Sequence, residues 1–298
     1  MKPPWLKAKI PSGKNYHQLK NLLRSLDLHT VCEEARCPNV ADCWNRQTAT
    51  VMIMGDTCTR SCGFCAVKTG RPATLDPREP RHVAEAIEKL GLRHVVITSV
   101  DRDDLPDGGA AHFAETIRQV KGRCPETCVE VLIPDFKGRH EDLDRVFAAG
   151  PHILNHNIET VRSLQRHVRP QADYGRSLRV LRRASDAGMA TKSGIMLGLG
   201  ETEQEIRQTI CDLKQVGKIS ILTVGQYLRP TAGHLEIERY YSPEEFASWK
   251  KYAETIGIAS VASGPMVRSS YHADEAAAVM EGTFLKEVKL NQESGELF

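Results

Sequence analysis

The sequence predicts an α/β protein built on a parallel sheet of six to seven strands, open or rolled into a partial or full (β/α) barrel. Two observations carry this. Beyond Val51, short β-rich runs alternate strictly with segments whose apolar residues recur at helical spacing. Such alternation implies parallel strands joined by right-handed crossovers, with ligands collecting at the C-terminal ends of the strands. At 298 residues the chain is also long enough for one large domain of this kind.

Ahead of the alternation, Leu19, Leu22, Leu23 and Leu26 predict an amphipathic helix packed on a larger body. Residues 51–55 read as the first strand. Pro80 near a helix start, Val83, Ile87 and Leu90 on one face and Gly91 as a stop give the first crossover, before a second strand at 94–99. Phe113, Ile117 and Val120 mark the next helix, and 128–133 the third strand. Leu143, Val146 and Phe147 lead to a fourth strand at 152–157. Leu178, Leu181 and Ala184 form a face that stops near Gly188, ahead of a fifth strand at 191–197. Thr202 with Glu205 makes a capping box for a helix carrying Ile206, Ile210 and Leu213, with Gly217 at its end and a strand at 219–226. Ser242 and Glu245 make a second box around Pro243, opening a helix with Phe246, Trp249 and Ile256 that Gly257 ends before a strand at 258–262. The pattern lapses from about Val279, where a peripheral helix or a frayed end is expected.

Forty Lys and Arg balance 38 Asp and Glu, for a formal net charge of +2, which argues against a nucleic acid or a membrane surface as partner. No apolar run approaches the roughly 18 residues a membrane span needs. The first thirteen residues lack an apolar signal core. Nine cysteines without an export signal fit a reducing cytoplasm and metal-bound thiolates better than a disulfide framework.

Six of those cysteines lie within 34 residues, as two triplets: Cys32, Cys37 and Cys43, then Cys58, Cys62 and Cys65. Closed zinc sites and ordinary ferredoxin clusters use four protein ligands, so a triplet leaves one metal position for something else. The second triplet falls in the loop after the first strand, where a short turn through Gly63 can wrap three thiolates around three corners of a cubane. Zinc on the same three sulfurs is the alternative, and it lacks an evident fourth ligand nearby.

With Phe64 immediately before its last cysteine, the second triplet resembles the cluster loop of the radical S-adenosylmethionine superfamily. The resemblance implies a 4Fe-4S cluster on Cys58, Cys62 and Cys65 whose open iron binds the amino and carboxylate groups of S-adenosylmethionine. Its electron would release a 5'-deoxyadenosyl radical, the reagent for an unactivated C–H bond. The first triplet, within Cys32-Glu33-Glu34-Ala35-Arg36-Cys37-Pro38-Asn39, is similar to the auxiliary-cluster motif of the lipoyl synthase family. Arg268-Ser269-Ser270-Tyr271 is similar to that family's serine motif, and 155–160 and 261–265 extend the likeness, which runs from about Lys14 to Ala273. It implies an auxiliary 4Fe-4S cluster on Cys32, Cys37 and Cys43, closed by Ser270 and consumed as the sulfur source. A serine oxygen is a harder donor than thiolate, so the expectation is that this ligand yields when an iron must leave.

The family's reaction inserts two sulfur atoms at the sixth and eighth carbons of a protein-bound octanoyl group, cleaving two molecules of S-adenosylmethionine per lipoyl. The partners so implied are octanoylated lipoyl carrier domains of 2-oxoacid dehydrogenase complexes, the glycine cleavage H protein, a ferredoxin or flavodoxin reductant, and an iron-sulfur carrier that repairs the spent cluster. The expected layout is an N-terminal extension at 1–50, a barrel at 51–262 and a C-terminal extension at 263–298. Because an octanoyl arm needs a channel between two clusters, both extensions are expected to cover the barrel mouth.

Other candidates follow from position. Asn157 and Glu159 end the fourth strand and are placed for ribose hydroxyls. Gly194, Met196 and Gly198 resemble the superfamily's glycine-containing fifth strand, where the backbone approaches adenine; packing, or the turn into the next helix, is the alternative for the glycines. Thr98 and Ser99, with Asp101, Arg102 and Asp103 after them, suit either the methionine part of the cofactor or ordering of the loop. Lys192 and Arg229 stand at expected strand ends, suited to an acidic partner or a carboxylate. Cys124, Cys128 and Cys211 read as structural, and His112, His140 and His167 as surface residues or ordinary hydrogen-bonding groups. Two further readings remain open. Another sulfur-inserting enzyme, similar in logic to biotin synthase, would share the second triplet but not the first or the serine motif. A non-catalytic metal-binding or electron-carrying module would use both triplets.

Overall fold

The computed structural model describes residues 3–7, 14–26, 28–34, 37–45, 50–270 and 273. The tail from Val279 and Tyr271 of the serine motif lie outside them. Helix α1 (Lys14–Ser25) buries Leu19 and Leu23 and is followed by a short strand β1 (His29–Thr30) and the helical turns α2 (Val31–Glu34) and α3 (Val40–Asn45). The alternation then begins: β2 (Thr50–Ile53), a two-stranded ladder of β3 (Thr57–Cys58) with β4 (Lys68–Thr69), α4 (Glu79–Leu90), β5 (His94–Ser99), α5 (Ala110–Arg123), β6 (Cys128–Leu132), α6 (His140–Ala148) and β7 (Ile153–Asn155). It continues through α7 (Gln165–Val168), α8 (Tyr174–Asp186), β8 (Ala190–Leu197), α9 (Glu203–Gln215), β9 (Ile221–Gln226), α10 (Pro243–Thr255) and β10 (Ser260–Gly264). Both expected capping boxes form, and Gly91 ends α4 in the left-handed conformation that glycine tolerates.

The main sheet runs β1-β2-β5-β6-β7-β8-β9-β10, each strand beside its successor in the sheet, with seven strands parallel and β1 antiparallel on β2. The register sets Thr50 beside Val96, His94 beside Cys128, Asn155 beside Lys192 and Ser260 beside Ile221. Among the described residues β10 pairs with β9 alone, so the sheet is an unclosed, partial barrel. The expected extension boundaries fall inside it: β1 belongs to the N-terminal extension yet adds a strand, and β10 runs past 262 to Gly264.

Alternation along β8 separates the two faces of the sheet. Ile195 and Leu197 pack with Leu178 and Leu181 of α8 and Ile206 and Ile210 of α9. Lys192, Gly194 and Met196 point the other way. Lys192 is therefore no strand-end cation: it is buried, with its Nζ 2.9 Å from Glu130 Oε1. Asn155 Nδ2 also donates to Glu130 at 3.2 Å, and His94 Nε2 stands 3.4 Å from it. Burial raises the Glu130 carboxyl, but Lys192 and His94 more than offset it, so the group ionises below its ordinary range. Arg229 is likewise occupied, donating to His234 O at 2.9 Å within its own loop.

Strand β7 is shorter than the expected 152–157. The chain turns out after Asn155, passes through Glu159 in a left-handed conformation (φ 66°), and re-pairs there with β8, Glu159 N donating to Gly194 O and Met196 N to Glu159 O, both at 2.9 Å. That excursion lifts Asn157 out of the strand and returns Glu159 to the edge of β8.

Candidate active site

The second cysteine triplet hangs between β3 and β4, whose ladder sets Cys58 beside Thr69 and closes the loop at its base. Gly70 N donates to Cys58 O at 2.9 Å and Cys65 N to Cys62 O at 3.1 Å. Gly63 is gripped on both sides: its N–H donates to Val168 O at 2.9 Å, and its carbonyl accepts from Leu235 N at 3.1 Å. A side chain at Gly63 would put its Cβ 2.8 Å from Leu235 Cγ and force that leucine aside.

Arg60, inside this loop, is buried. Its guanidinium bonds both oxygens of Asp103, at 2.7 and 3.0 Å, and Asp135 Oδ1 at 2.7 Å, while Asp135 Oδ2 accepts from Arg176 Nε at 2.7 Å. Thr59 Oγ1 donates to Asp101 O and accepts from Asp103 N. Of the two roles open to Asp101 and Asp103, the geometry therefore supplies loop ordering. Arg102 turns to Asp104 instead, at 2.9 Å.

Burial, with help from neighbouring acids and sulfurs, raises all three thiols, Cys62 to about 11 and Cys65 to about 12. Metal must therefore displace protons here. Cys58 Sγ already accepts from Asp101 N at 3.3 Å and Arg60 N at 3.4 Å, donors suited to a thiolate.

Beside the loop, Phe64 and Met196 pack on one small apolar cluster of Val168, Leu199 and Tyr227. Asn157 Nδ2 donates to Glu159 Oε1 at 3.1 Å, while Asn157 Oδ1 is buried without a partner. Arg169 Nη1 donates to the carbonyls of Asn157 and Ile158, at 3.1 and 3.2 Å, and its Nε also lacks a partner. A Cβ on Gly194 would lie 2.7 Å from Thr223 Oγ1 and 2.8 Å from Asn157 Oδ1. Gly198 serves the turn out of β8 (φ 106°), where its N–H donates to Glu201 Oε1 at 2.6 Å. Thr98 spends its hydroxyl on Leu132 O at 2.9 Å. Arg169 was invisible in the sequence, since a single arginine at a helix end carries no spacing signal.

The first triplet is held by α2 and α3. Cys37 N donates to Cys32 O at 3.1 Å and Cys43 N to Asn39 O at 3.0 Å. Burial, then the neighbouring Cys37, pushes the Cys32 thiol up to about 11. Fully buried Trp44 stacks on Tyr16 with ring centroids 4.9 Å apart and backs the triplet. Past β10 the chain returns over it: Asn39 Nδ2 donates to Met266 O, and the Arg268 guanidinium feels the charges of both Cys37 and Glu159. Ser269 and Ser270 form the turn that follows. Among the described residues no three His, Cys, Asp or Glu side chains converge to hold one metal ion, as a zinc site requires. A cubane, which meets each thiolate at a separate corner, makes no such demand.

Residues 52–213 match the Radical SAM superfamily, and residues 1–37 match the N-terminal domain of lipoyl synthase of that family. Lipoyl synthase of Rubrobacter xylanophilus is 59% identical over 92% of this chain and 86% of its own length. The chain belongs to the lipoyl synthase family. Mitochondrial lipoyl synthase of Danio rerio is 54% identical over 92% of this chain and 70% of its own length. SuiB of Streptococcus suis bound to S-adenosylmethionine shares the fold, with TM-score 0.54 and 11% identity over 82% of this chain and 54% of that one. The chain spans about half the length of that solved protein.

As a lipoyl synthase family member, the chain is a sulfur-inserting radical S-adenosylmethionine enzyme that uses iron-sulfur chemistry. Its residues fit that cofactor: Asn157 Oδ1 and Arg169 Nε are buried without a protein partner, and Gly194 lets the Asn157 amide sit against β8, where a Cβ would lie 2.8 Å from its Oδ1. No described helix is long and apolar enough to cross a membrane.

Proposed function

We propose that the chain converts an octanoyl group, carried on a lysine of a lipoyl carrier domain, into lipoyl by placing sulfur at its sixth and eighth carbons. The observation that carries this reading is the meeting of the chain's two ends, where Asn39, between Cys37 and Cys43, donates to Met266 O at 2.7 Å, four residues before Ser270. Cys58, Cys62 and Cys65 hold one 4Fe-4S cluster and leave an iron for S-adenosylmethionine; Cys32, Cys37, Cys43 and Ser270 hold the other. When bound, these groups supply the radical that an unactivated C–H bond demands and the sulfur that replaces its hydrogen.

The chain's own residues bind, aim and exclude water. Asn157 and Glu159 accept the ribose hydroxyls, and Gly194 lets the adenine lie against β8. Phe64 and Met196 form a dry wall beside the reacting atoms, while Arg169 fixes the excursion that carries Asn157. Arg268 balances charge between the two centres, and Ser270 would hold the second cluster through an oxygen, a harder donor than thiolate and so the more replaceable ligand. Of the two extensions, 1–50 and 263–298, the described parts around Asn39 and Met266 cover the mouth of the 51–262 barrel, so the octanoyl arm enters beneath them. The carrier domains are those of 2-oxoacid dehydrogenase complexes and the glycine cleavage H protein, with a ferredoxin or flavodoxin as reductant and an iron-sulfur carrier for repair, all in the cytoplasm.

The test is an anaerobic reaction of cluster-loaded protein with an octanoyl-lysine peptide, S-adenosylmethionine and dithionite, followed by mass spectrometry. Gain of two sulfur atoms is expected, from protein holding about eight irons. Cofactor cleavage without sulfur gain would point to a different radical enzyme.

A further inference from the structure

Residues 161–188 carry seven arginines and two aspartates, in a chain whose formal net charge is only +2. The function proposed above uses Arg169 alone. Four others, Arg176, Arg179, Arg182 and Arg183, line a groove of about 210 Å³ against Gly138 and His140, on the outer wall between α6 and α8. Asp135, Asp186 and Asp144 each offset one of these cations, whereas Arg179 is 73% exposed and no closer than 3.9 Å to Asp173. A guanidinium has five N–H donors, so each keeps bonds to give to a further carboxylate.

The groove is joined to the second cysteine triplet by direct contacts. Arg176 Nη2 donates to Gln171 O at 3.0 Å. Gln171 Nε2 then donates to Ser61 Oγ at 3.1 Å, and Ser61 N returns to Gln171 Oε1 at 3.4 Å. Ser61 is exposed and adjoins Cys62, so here the cluster loop reaches solvent.

We propose that this arginine groove docks an acidic one-electron carrier protein, which reduces the cluster on Cys58, Cys62 and Cys65 through the edge at Ser61. The inference deepens the proposed function and rests on it. One electron leaves the reduced carrier and enters the cluster; no proton or group moves. Electron-transfer encounters use small, weak interfaces, in which opposite charge raises the association rate. The octanoylated carrier is the competing occupant, but its arm must enter beneath Asn39 and Met266, whereas the groove lies on the outer wall.

The test compares cluster-loaded protein with its Arg179→Glu, Arg182→Glu variant. The structural cost is small and exposed, because Arg179 has only the distant Asp173, and Arg182 gives up one surface bond to Asp186 at 2.8 Å while Asp186 keeps Lys218 at 2.8 Å. Reduction by an acidic flavodoxin, followed by the fall in cluster absorbance, should slow about ten-fold at low salt, with the gap closing as salt screens it. Dithionite-driven cofactor cleavage should be unchanged, as should flavodoxin reduction of an Arg118→Glu control on α5. The Arg179→Lys, Arg182→Lys pair should restore the rate. Equal flavodoxin rates would overturn the proposal, and so would a raised KM for octanoylated carrier with unchanged reduction. Titration of labelled flavodoxin reads docking whether or not the reaction runs. Loss of dithionite-driven cleavage in the unaltered protein would thus count against the proposed function, while the titration still decides the groove.

Discussion

Asn39 and Met266 are separated by 227 residues, yet Asn39 Nδ2 donates to Met266 O at 2.7 Å. The bond ties the segment between Cys37 and Cys43 to the segment that leads from β10 to Ser270, and it is a direct link between the chain's two ends. Asn39→Ala removes the donor and leaves a half-buried carbonyl. A loss of about 1 kcal/mol is expected, read as a lower urea midpoint at constant slope. Iron should fall at the first triplet and persist at the second. Unchanged midpoint and unchanged iron would show that the two ends are held by something else.

Arg60 is the bolt of the second triplet's loop. Arg60→Ala leaves Asp103 and Asp135 facing each other without their shared cation, and removal of one partner from a buried ion pair costs about 3–5 kcal/mol. Arg60→Lys should recover only part, because a point charge cannot reproduce the forked contact with Asp103. Chemical denaturation of both variants measures this. Equal stability of the lysine and wild-type proteins would make fork geometry irrelevant.

Gly194→Ala should leave the fold intact and weaken S-adenosylmethionine at least about ten-fold, since the added Cβ displaces Asn157, the side chain proposed to bind it. Equilibrium dialysis is the measurement. Wild-type affinity in the variant would move the adenine elsewhere.

His156 supplies a pH test. Its Nδ1–H donates to Ile133 O at 2.8 Å, and its Nε2 lies 3.0 Å from Ser177 Oγ, whose hydroxyl donates to it when the ring is neutral. Burial, then Arg169, lowers its pKa to about 4, against the nearby Asp135. The unfolded chain takes up this proton near pH 6.5 and the folded chain does not. The group's stabilisation is therefore complete above pH 6.5 and is lost towards pH 4, at about 1.4 kcal/mol per pH unit. In histidine-labelled, cluster-free protein one ring resonance should fail to titrate between pH 8 and 5, and it should vanish in His156→Gln. If every ring titrates near 6.5, the assignment fails.

The crossover helices and their strands were legible from their apolar faces, sharpened where a helix carries its own stop or cap, as at Gly91, Thr202 and Ser242. What stayed hidden depends on distant partners. Strand β1 is two residues long and exists by pairing with β2, while α2 and α3 are too short to hold a helix without packing. Lys192 looked like an end-of-strand cation because nothing local announces Glu130 two strands away. The end of β7 was missed because Glu159 takes a left-handed turn that sequence assigns to glycine. At the site, cysteine spacing was legible and the anchors of Arg60 were not, since three aspartates on two separate loops share it.

The meeting of the two ends also sets an order of events at the ribosome. Cys32, Cys37 and Cys43 emerge early, but their covering segment follows 227 residues after Asn39. At ordinary synthesis rates that is a wait of roughly 10 to 45 s. Through that interval three closely spaced thiols stand open to oxidants and stray metals. The first triplet can thus be covered only after synthesis is nearly complete, whereas the loop of the second meets its backbone anchors at Val168 and Leu235 before Met266 emerges.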